Sequence, residues 1–192
     1  MAESNSRVGL WDGWYKTRKY DRKIYDDSAT AKIAGAWLNH SDIKQVEDWG
    51  CGYGGFKNYI GDEQQYIGVD GSQSKFADKI EDLTIYQSKA DAIHLRHVLE
   101  HNVEWQKILD NFLASFQKKA VITLFTPFVD ETKVIQVYPN WHKTGIDMVD
   151  TAFSLTELEA YFKRHNVKVV QTIFNIKSET IYKIEHMFLL EK

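Results

Sequence analysis

A dense run of glycines that follows a short apolar and acidic stretch constrains the fold of this chain more than any other feature. The run reads VEDWGCGYGGF over residues 46–56, and its glycines crowd the end of a predicted strand. A second segment, GVDGS over residues 68–72, places Asp70 twenty residues after Gly50. This spacing is typical of a βαβ unit that binds a nucleoside, with the later acid placed to bind ribose hydroxyls.

The composition is that of an ordinary globular protein. The 192 residues are 43% hydrophobic and carry a net charge of -3, which fits one compact domain and gives nucleic-acid phosphates or anionic membranes no general attraction. Cys51 is the one cysteine, so an internal disulfide is excluded. Because we find no signal peptide and no long apolar run, we expect a cytoplasmic protein that does not enter membranes. The sequence leaves the oligomeric state undetermined.

The N-terminal region has a character of its own. Residues 7–23 mix aromatic and basic side chains, a pattern that also occurs in single-strand nucleic-acid binding. Several aspartates dilute that basic character, so a cap over a ligand or a plain surface helix is favoured. We therefore predict a helical cap segment over residues 1–40, packed on a core domain over residues 41–192.

Predicted strands and helices alternate along the rest of the chain. Helical spacing or capping signals predict helices over residues 30–39, 56–60, 72–80 (with Ser72 as its cap), 105–116 and 154–164. Runs of β-forming residues predict strands over residues 43–49, 66–69, 84–86, 92–97, 120–125, 167–174 and 181–190. The order predicts an α/β fold with a mostly parallel sheet, helices on both faces and a C-terminal antiparallel hairpin.

The residues around the glycine loop indicate which nucleoside it binds. Gly50, Gly52 and Gly55 satisfy G-x-G-x-x-G, so a dinucleotide oxidoreductase has to be considered. A pyrophosphate needs the N-terminus of a helix with aligned amides, and only about two turns fit before Gly61. The acids at residues 47 and 48 would also repel a pyrophosphate. They would attract the ammonium and sulfonium groups of S-adenosylmethionine, which carries no phosphate.

Five segments in order resemble the class I S-adenosylmethionine-dependent methyltransferases. VEDWGCGYG (residues 46–54) resembles their motif I, and YIGVD (66–70) resembles the motif that follows it. DAIHLRHVLEH (91–101) is similar to their fourth strand and its "LEH" turn, FTP (125–127) to the end of the fifth strand, and FSLTEL (153–158) to the helix before the final hairpin. The resemblance covers residues 43–192 and implies a Rossmann-like sheet of seven strands.

Carried over position by position, the resemblance implies a cofactor site. Asp48, Gly50 and Gly52 would contact the methionine half, Gly54 would shape the loop, and Asp70 would hold the ribose. His97 and Val98 would flank the sulfonium region, and Gln87 and Ser88 are the candidates for adenine contact. The full predicted set is Asp48, Gly50, Cys51, Gly52, Gly54, Asp70, Gly71, Ser72, Gln87, Ser88, His97 and Val98. Within it, Cys51 is interpreted as a packing residue rather than a nucleophile.

The string H-x-x-E-H at residues 97–101 matches inverted zinc peptidases, but it falls at a strand-to-helix turn rather than inside a helix. Some methyltransferases of this fold hold a divalent ion at E-x-x-E-H, of which this chain keeps Glu100 and His101. Hydrogen bonding of the turn by these two residues is favoured over that metal site. We therefore predict no metal.

We predict methyl transfer from S-adenosylmethionine, with S-adenosylhomocysteine as product, to an oxygen of a small molecule, a sugar or a glycan precursor. A histidine suits removal of the hydroxyl proton, and the candidates are His101, His142 and His97. Residues 129–151 form either a lid that carries His142 or a surface loop. The alternatives are an RNA or protein methyltransferase, a non-catalytic S-adenosylmethionine-binding partner subunit and, more remotely, an oxidoreductase.

Overall fold

The computed structural model describes residues 8–17 and 28–192. Within these residues the helices are α1 (Asp12–Thr17), α2 (Ala29–Leu38), α3 (Trp105–Ser115) and α4 (Leu155–Arg164). The strands are β1 (Gln45–Trp49), β2 (Gln65–Asp70), β3 (Lys79–Ile80), β4 (Ala92–Arg96), β5 (Lys119–Leu124), β6 (Lys133–Tyr138), β7 (Met148–Ala152), β8 (Lys168–Lys177) and β9 (Ile184–Glu191). Short 3-10 helices span Gly55–Tyr59, Leu99–His101 and Trp141–Lys143.

A seven-stranded sheet forms the centre of the protein, in the order β3-β2-β1-β4-β5-β9-β8. The first five strands of that order pair in parallel, and β9 pairs antiparallel with both β5 and β8. The predicted α/β class, the mostly parallel sheet and the C-terminal hairpin are confirmed. Chain order reverses between β1 and β4, which is where ligands bind in open sheets of this kind.

Both faces of the sheet are covered because its inner strands alternate apolar side chains between two layers. Val46 and Val121 point to the layer that contains Ala34 of α2. Their neighbours Leu95 and Ile122 point to the opposite layer, where they join α3, α4 and residues such as Phe112. Burial of this size on two faces fixes the strand register, since a slip of one residue would exchange the layers.

Capping hydrogen bonds and the spacing of apolar residues explain why these segments form helices. The side chain of Ser28 accepts a hydrogen bond from the amide of Ala31 at 3.3 Å and so caps α2. The apolar stripe predicted for α3 is buried as expected, with Ile108, Leu109, Phe112, Leu113 and Phe116 at 1% exposure or less. Helix α4 also forms as predicted, although the side chain of Ser154 makes no capping hydrogen bond.

The helix predicted over residues 72–80 is wrong. The amide of Ser72 donates to Oδ1 of Asp70 at 2.8 Å, and the hydroxyl of Ser74 donates to the carbonyl of Gly52. The carboxylate of Asp78 accepts from the amide of Gly68 at 2.8 Å. These bonds tie the segment to β2 and the glycine loop, and they occupy groups that a helix would use internally.

The third strand lies earlier than predicted. It is the two-residue β3 beside β2, whereas residues 84–86 form a turn. In that turn the amides of Ile85 and Tyr86 both donate to the carbonyl of Asp82, at 3.0 and 2.8 Å. The side chain of Asp82 accepts from Thr84. The predicted strand at 84–86 is therefore wrong, and the chain between β3 and β4 has a different course.

Residues 129–151 are not a structureless loop. They contain β6 and most of β7, which pair as an antiparallel hairpin separate from the main sheet, with the 3-10 helix Trp141–Lys143 at its tip. The division of the chain at residue 40 stays a prediction. Residues 1–7 and 18–27, which include much of the aromatic and basic N-terminal stretch, lie outside the described residues.

Candidate active site

A cavity of about 300 Å³ opens at the carboxyl ends of β1, β2 and β4, at the switch point of the sheet. Most of its walls come from five parts of the chain: α1 and the residues before it, the glycine loop, the end of β2, the turn after β3, and the turn after β4. The principal residues are Leu10, Trp11, Trp14, Tyr15, Gly50, Gly52, Asp70, Gly71, Ser72, Asp82, Leu83, Thr84, Arg96, His97, Val98 and His101.

The glycine loop needs glycine at the positions that face the cavity. Gly50 has φ +74°, and a Cβ built there would lie 2.3 Å from Cγ2 of Val98. Gly52 has φ +54°, and a Cβ there would project toward the hydroxyl of Tyr15 at 3.6 Å. The amides of Gly50 and Cys51 both donate to the carbonyl of Val69, which ties the bend to β2. The backbone is therefore free to approach a ligand closely.

The carboxylate of Asp70 lies in the cavity wall at the end of β2. Its Oδ2 accepts from the amide of Gly52 at 2.9 Å and from the hydroxyl of Tyr15 at 3.3 Å, while Oδ1 accepts from the amide of Ser72 at 2.8 Å. Burial raises the pKa of Asp70 from 3.8 to about 6, against the lowering effect of these donors. A carboxylate here can accept hydrogen bonds from the two hydroxyls of a ribose.

Asp82, Leu83 and Thr84 form the cavity wall beyond Asp70. The predicted adenine contacts are elsewhere: Gln87 donates to Asn111 at 3.0 Å, and the amide of Ser88 donates to Ser115 at 3.0 Å. Neither of them lines the cavity. Asp82 was missed because the third strand was predicted at residues 84–86 rather than at β3, which Asp82 follows.

The acids before the loop do not reach the main cavity. Glu47 accepts from Lys79 at 3.0 Å and from the indole of Trp49 at 2.8 Å, and these bonds outweigh burial and lower its pKa. Asp48 is bonded to the hydroxyl of Tyr66 at 2.7 Å and to Nδ1 of His94 at 2.8 Å. Asp48 instead borders a separate cavity of about 30 Å³, a volume that suits one water molecule.

Cys51 and Gly54 also stand apart from the main cavity. Cys51 borders the smaller cavity and is buried. Burial raises the pKa of its thiol, and three nearby aspartates add to that effect, so the thiol stays protonated. Gly54, at φ +65°, begins the 3-10 helix Gly55–Tyr59. Both residues therefore shape the loop.

His97 lies at the cavity wall in a left-handed conformation with φ +56°. Its Nε2 is 2.6 Å from Oε1 of Glu185, and Glu185 also accepts from Arg96 at 2.6 Å and from Thr30 at 2.7 Å. Burial and then the charge of Arg96 lower the pKa of His97 to about 3. His97 is therefore a neutral imidazole that Glu185 holds in place.

His101 lies at the same wall with Nδ1 fixed. This nitrogen is 3.0 Å from the carbonyl oxygen of Val149 and 3.3 Å from Oδ1 of Asp150, both on β7. A carbonyl oxygen only accepts, so Nδ1 carries a proton and Nε2 remains to accept one. Asp150 is a residue of this site that the sequence analysis missed.

Four aromatic residues, Trp11, Trp14, Trp141 and His142, form what we call the mouth cluster. Trp14 stacks on Trp141 at 5.8 Å and 17°, and its ring centroid is 4.9 Å from that of His142. Trp11 packs edge-on against both Trp141 and His101. The cluster joins α1 to the tip of the β6–β7 hairpin. His142 itself is exposed and does not line the cavity, so the structure does not bring it together with His97 and His101.

Glu100 points away from the cavity into the interior. It is 0% exposed, and its Oε1 accepts from the amide of Phe125 at 2.7 Å. Burial raises its pKa to about 7. Among residues 8–17 and 28–192, no three histidine, cysteine or acidic side chains stand close enough to hold a metal ion. In the same part of the chain, no helix is long and apolar enough to cross a bilayer.

The residues present fit an adenosyl group that carries a sulfonium. Glycine backbone faces the cavity where a side chain would project into it, Asp70 offers carboxylate oxygens, and Asp82 adds a second acid to the lining. The methyl-donor site that the resemblance implies is thus compatible with the observed donor set. Gly50, Gly52, Asp70, Gly71, Ser72, His97 and Val98 of the predicted set line one cavity.

Residues 20–172 match the sequence model of a family described as a methyltransferase domain. No sequence among the curated proteins matches the chain. A solved structure of 1,6-didemethyltoxoflavin-N1-methyltransferase from Burkholderia thailandensis, with 1,6-didemethyltoxoflavin and S-adenosylhomocysteine bound, is similar with a TM-score of 0.63 and 15% identity. The match covers 88% of this chain and 80% of that chain.

Two further structures are similar over nearly the whole length. Magnesium protoporphyrin IX methyltransferase from Synechocystis, with S-adenosylhomocysteine bound, has a TM-score of 0.63 and 14% identity, and the match covers 95% of this chain and 94% of that chain. A complex of the Haloferax volcanii Trm112 methyltransferase activator with a methyltransferase gives a TM-score of 0.63 and 15% identity, over 98% of this chain and 97% of that chain. At these identities the likeness shows the fold.

Proposed function

The chain belongs to the methyltransferase domain family, and from that premise we propose that it transfers the methyl group of S-adenosylmethionine to a hydroxyl oxygen of a small acceptor. A sugar or a glycan precursor is the acceptor class that we favour. The observation that carries the proposal is one cavity with the carboxylate of Asp70 in one wall and the oriented imidazole of His101 in another.

The chain offers a holding site for the cofactor. Gly50 and Gly52 let the backbone approach it, and the oxygens of Asp70 accept from ribose hydroxyls. Asp82 and Leu83 line the wall where the nucleobase end would lie. S-adenosylmethionine, when bound, supplies an electrophilic methyl carbon on sulfur and leaves as the neutral thioether S-adenosylhomocysteine.

His101 accepts the proton of the acceptor hydroxyl, and its neighbours hold it in position. As the hydroxyl oxygen of the acceptor bonds to the methyl carbon, its O–H bond breaks and the proton passes to Nε2 of His101. Because Nδ1 is fixed by β7, the ring presents Nε2 without having to reorient first. His97 lines the same wall as His101 and is uncharged at neutral pH, because its pKa is about 3.

The aromatic residues at the mouth of the cavity support a small acceptor. Trp11, just before α1, and Trp14 of α1 line the cavity, and the mouth cluster fastens α1 to the hairpin tip. Tryptophan faces pack well on sugar or aromatic rings and keep water away from the reaction. We propose the mouth cluster as the lid that the sequence suggested for residues 129–151.

The runner-up functions have less support. An RNA methyltransferase would need a basic groove, and the net charge of -3 gives phosphates no general attraction. A protein methyltransferase would have to insert a side chain through the mouth cluster. A non-catalytic binding subunit would have no need for a histidine fixed by a carbonyl and a carboxylate.

Calorimetry with S-adenosylmethionine and S-adenosylhomocysteine tests the cofactor site first. The wild type should bind both, and Asp70→Ala and Gly52→Val should each weaken binding at least tenfold, since each removes a contact or fills the loop. Asp62→Ala, a change at an exposed acid of the same type, is the matched control. Absence of binding in the wild type, or unaltered affinity in both site variants, would refute the proposal.

Transfer of a radiolabelled methyl group then tests the acceptor class. We expect incorporation into members of a panel of sugars, nucleotide sugars and hydroxylated metabolites, and none into total RNA or a peptide library. His101→Gln should lower turnover by about 10²-fold or more, because a general base contributes that much, while the affinity for S-adenosylhomocysteine stays within twofold. Incorporation into RNA or peptides alone would overturn the small-molecule assignment.

A further inference from the structure

An aspartate lies inside the apolar strand β7. Asp150 is 1% exposed, and all five residues of β7 are buried. Burial of a carboxylate costs free energy unless donors compensate it. Two hydroxyls do so from distant parts of the chain: Tyr138 and Tyr182 both donate to Oδ2 at 3.1 Å.

The other oxygen of this carboxylate faces the proposed base. Oδ1 of Asp150 is 3.3 Å from Nδ1 of His101, and the carbonyl oxygen of Val149 is 3.0 Å from the same nitrogen. The N–H group donates to the carbonyl oxygen of Val149, and the carboxylate of Asp150 lies beside it within ion-pair distance. A carbonyl alone would fix the tautomer, so the carboxylate adds something that the carbonyl does not, namely a negative charge.

We propose that Asp150 is a positioning residue for the reaction: its carboxylate, held by the hydroxyls of Tyr138 and Tyr182, fixes the ring of His101 and stabilises the imidazolium that forms when Nε2 accepts the proton of the acceptor. This inference rests on the proposed function and extends it to a residue outside the cavity wall. The inference also assigns a role to Tyr138 and Tyr182, which hold the carboxylate in place.

The groups that face His101 explain why Asp150 is the charge that matters. Glu100 faces it from the same turn, but burial raises the pKa of Glu100 to about 7, so half of its charge is absent at that pH. His97 faces it as a neutral ring, and Trp11 and Phe125 contribute aromatic contacts. Asp150 stays ionised: burial raises its pKa, but hydrogen bonding from His101 and the tyrosine hydroxyls outweighs burial and lowers it.

A merely structural role predicts different behaviour from this one. If Asp150 only filled the base of the hairpin, Asp150→Asn would change stability and leave the protonation of His101 alone. If its charge acts on His101, the pKa of His101 must fall when the charge is removed. The pKa of the ring is thus the quantity that separates the two.

The experiment follows the imidazole directly and needs no acceptor. Protein labelled with ¹³C and ¹⁵N in histidine is titrated by NMR, and His101 is assigned from the spectrum of His101→Gln. In the wild type Nδ1 should carry the proton of the neutral ring. In Asp150→Asn the pKa of His101 should fall by about one unit, because an opposite charge at this distance favours the charged form by one to three units.

Two further variants keep the result interpretable. Asp130→Asn removes the same charge at an exposed site before β6 and should leave the pKa of His101 unchanged. Tyr182→Phe removes one donor from Asp150, concentrates the negative charge on the oxygen near His101 and should raise the pKa of His101. This change has the opposite sign and stays measurable even if Asp150→Asn fails to fold.

Unchanged titration of His101 in both Asp150→Asn and Tyr182→Phe would overturn the proposal, and so would a neutral ring protonated on Nε2. Calorimetry with S-adenosylhomocysteine on the same samples keeps the two proposals apart. Intact binding with an unshifted ring refutes only the role of Asp150. Loss of binding in the wild type refutes the proposed function, whatever the ring does.

Discussion

Ionisation of Asp70 should lower the stability of the unliganded protein as the pH rises toward neutrality. The pKa of Asp70 rises from 3.8 to about 6 because burial disfavours the ionised carboxylate more than the donors Gly52, Ser72 and Tyr15 favour it. A carboxyl group with a raised pKa in the folded state binds its proton more tightly there than in the unfolded chain. Stability therefore falls as the pH rises from about 4 to about 6.

The magnitude follows from the size of that change. A pKa that moves from 3.8 to about 6 corresponds to about 3 kcal/mol once both states are ionised. Linkage places about 2 kcal/mol of this between pH 4.5 and pH 7.5. Asp70→Asn cannot ionise and so lacks this dependence. Its lost hydrogen bonds lower stability by an amount that does not vary with pH, so the comparison between two pH values removes them.

Urea unfolding followed by tryptophan fluorescence at pH 4.5, 6.0 and 7.5 measures the effect. The free energy of unfolding of Asp70→Asn minus that of the wild type should rise by about 2 kcal/mol from pH 4.5 to pH 7.5. Asp62→Asn, at an exposed position, should show no such rise. A difference that stays constant with pH would refute the reasoning, because it would mean that the donors compensate the buried charge fully.

Three further outcomes follow from the close contacts of the site. Gly50→Ala should lower the free energy of unfolding by about 3 kcal/mol, from left-handed strain and overlap with Val98, and in urea titrations it should cost less on a Val98→Ala background. Gly13→Ala should speed amide exchange in α1 although alanine favours helix, because the new Cβ would lie 2.8 Å from the carbonyl oxygen of His142; slower exchange would contradict the docking. His97 has a pKa of about 3 in the folded state and 6.5 as its ordinary value, so between pH 7.5 and pH 5.5 the wild type should lose about 1 kcal/mol more than His97→Asn does in the same titration.

The parts of the fold that the sequence predicted are those in which local pattern and tertiary structure agree. The stripe of α3 and the strands around Gly50 are each determined by residues close together in the chain. The segment at 72–80 was mispredicted because distant partners decide its shape: Ser74 bonds to Gly52, and Asp78 bonds to Gly68. A two-residue strand such as β3 carries too little pattern to be placed.

The β6–β7 hairpin and Asp150 escaped prediction for related reasons. The alternation in KVIQVY (133–138) is a strand signal, but the segment leads into Pro139 and Asn140, which are typical of loops. Valines of β6 stay half-exposed, so the strand lacks the burial that marks the main sheet. The partners of Asp150 lie 12 and 32 residues away, at Tyr138 and Tyr182, and no short motif joins them.

The main sheet stays incomplete during biosynthesis until strand β9 has been made. That strand lies between β5 and β8, and its residue Glu185 holds Arg96 and His97 at the edge of the cavity. Until residues 184–191 have left the ribosome, β5 has an open edge that can pair with the wrong strand, and Arg96 and His97 lack the carboxylate that holds them. A premature stop codon between β5 and Ile184 should therefore yield an aggregating product, even though every glycine of the loop has already been translated.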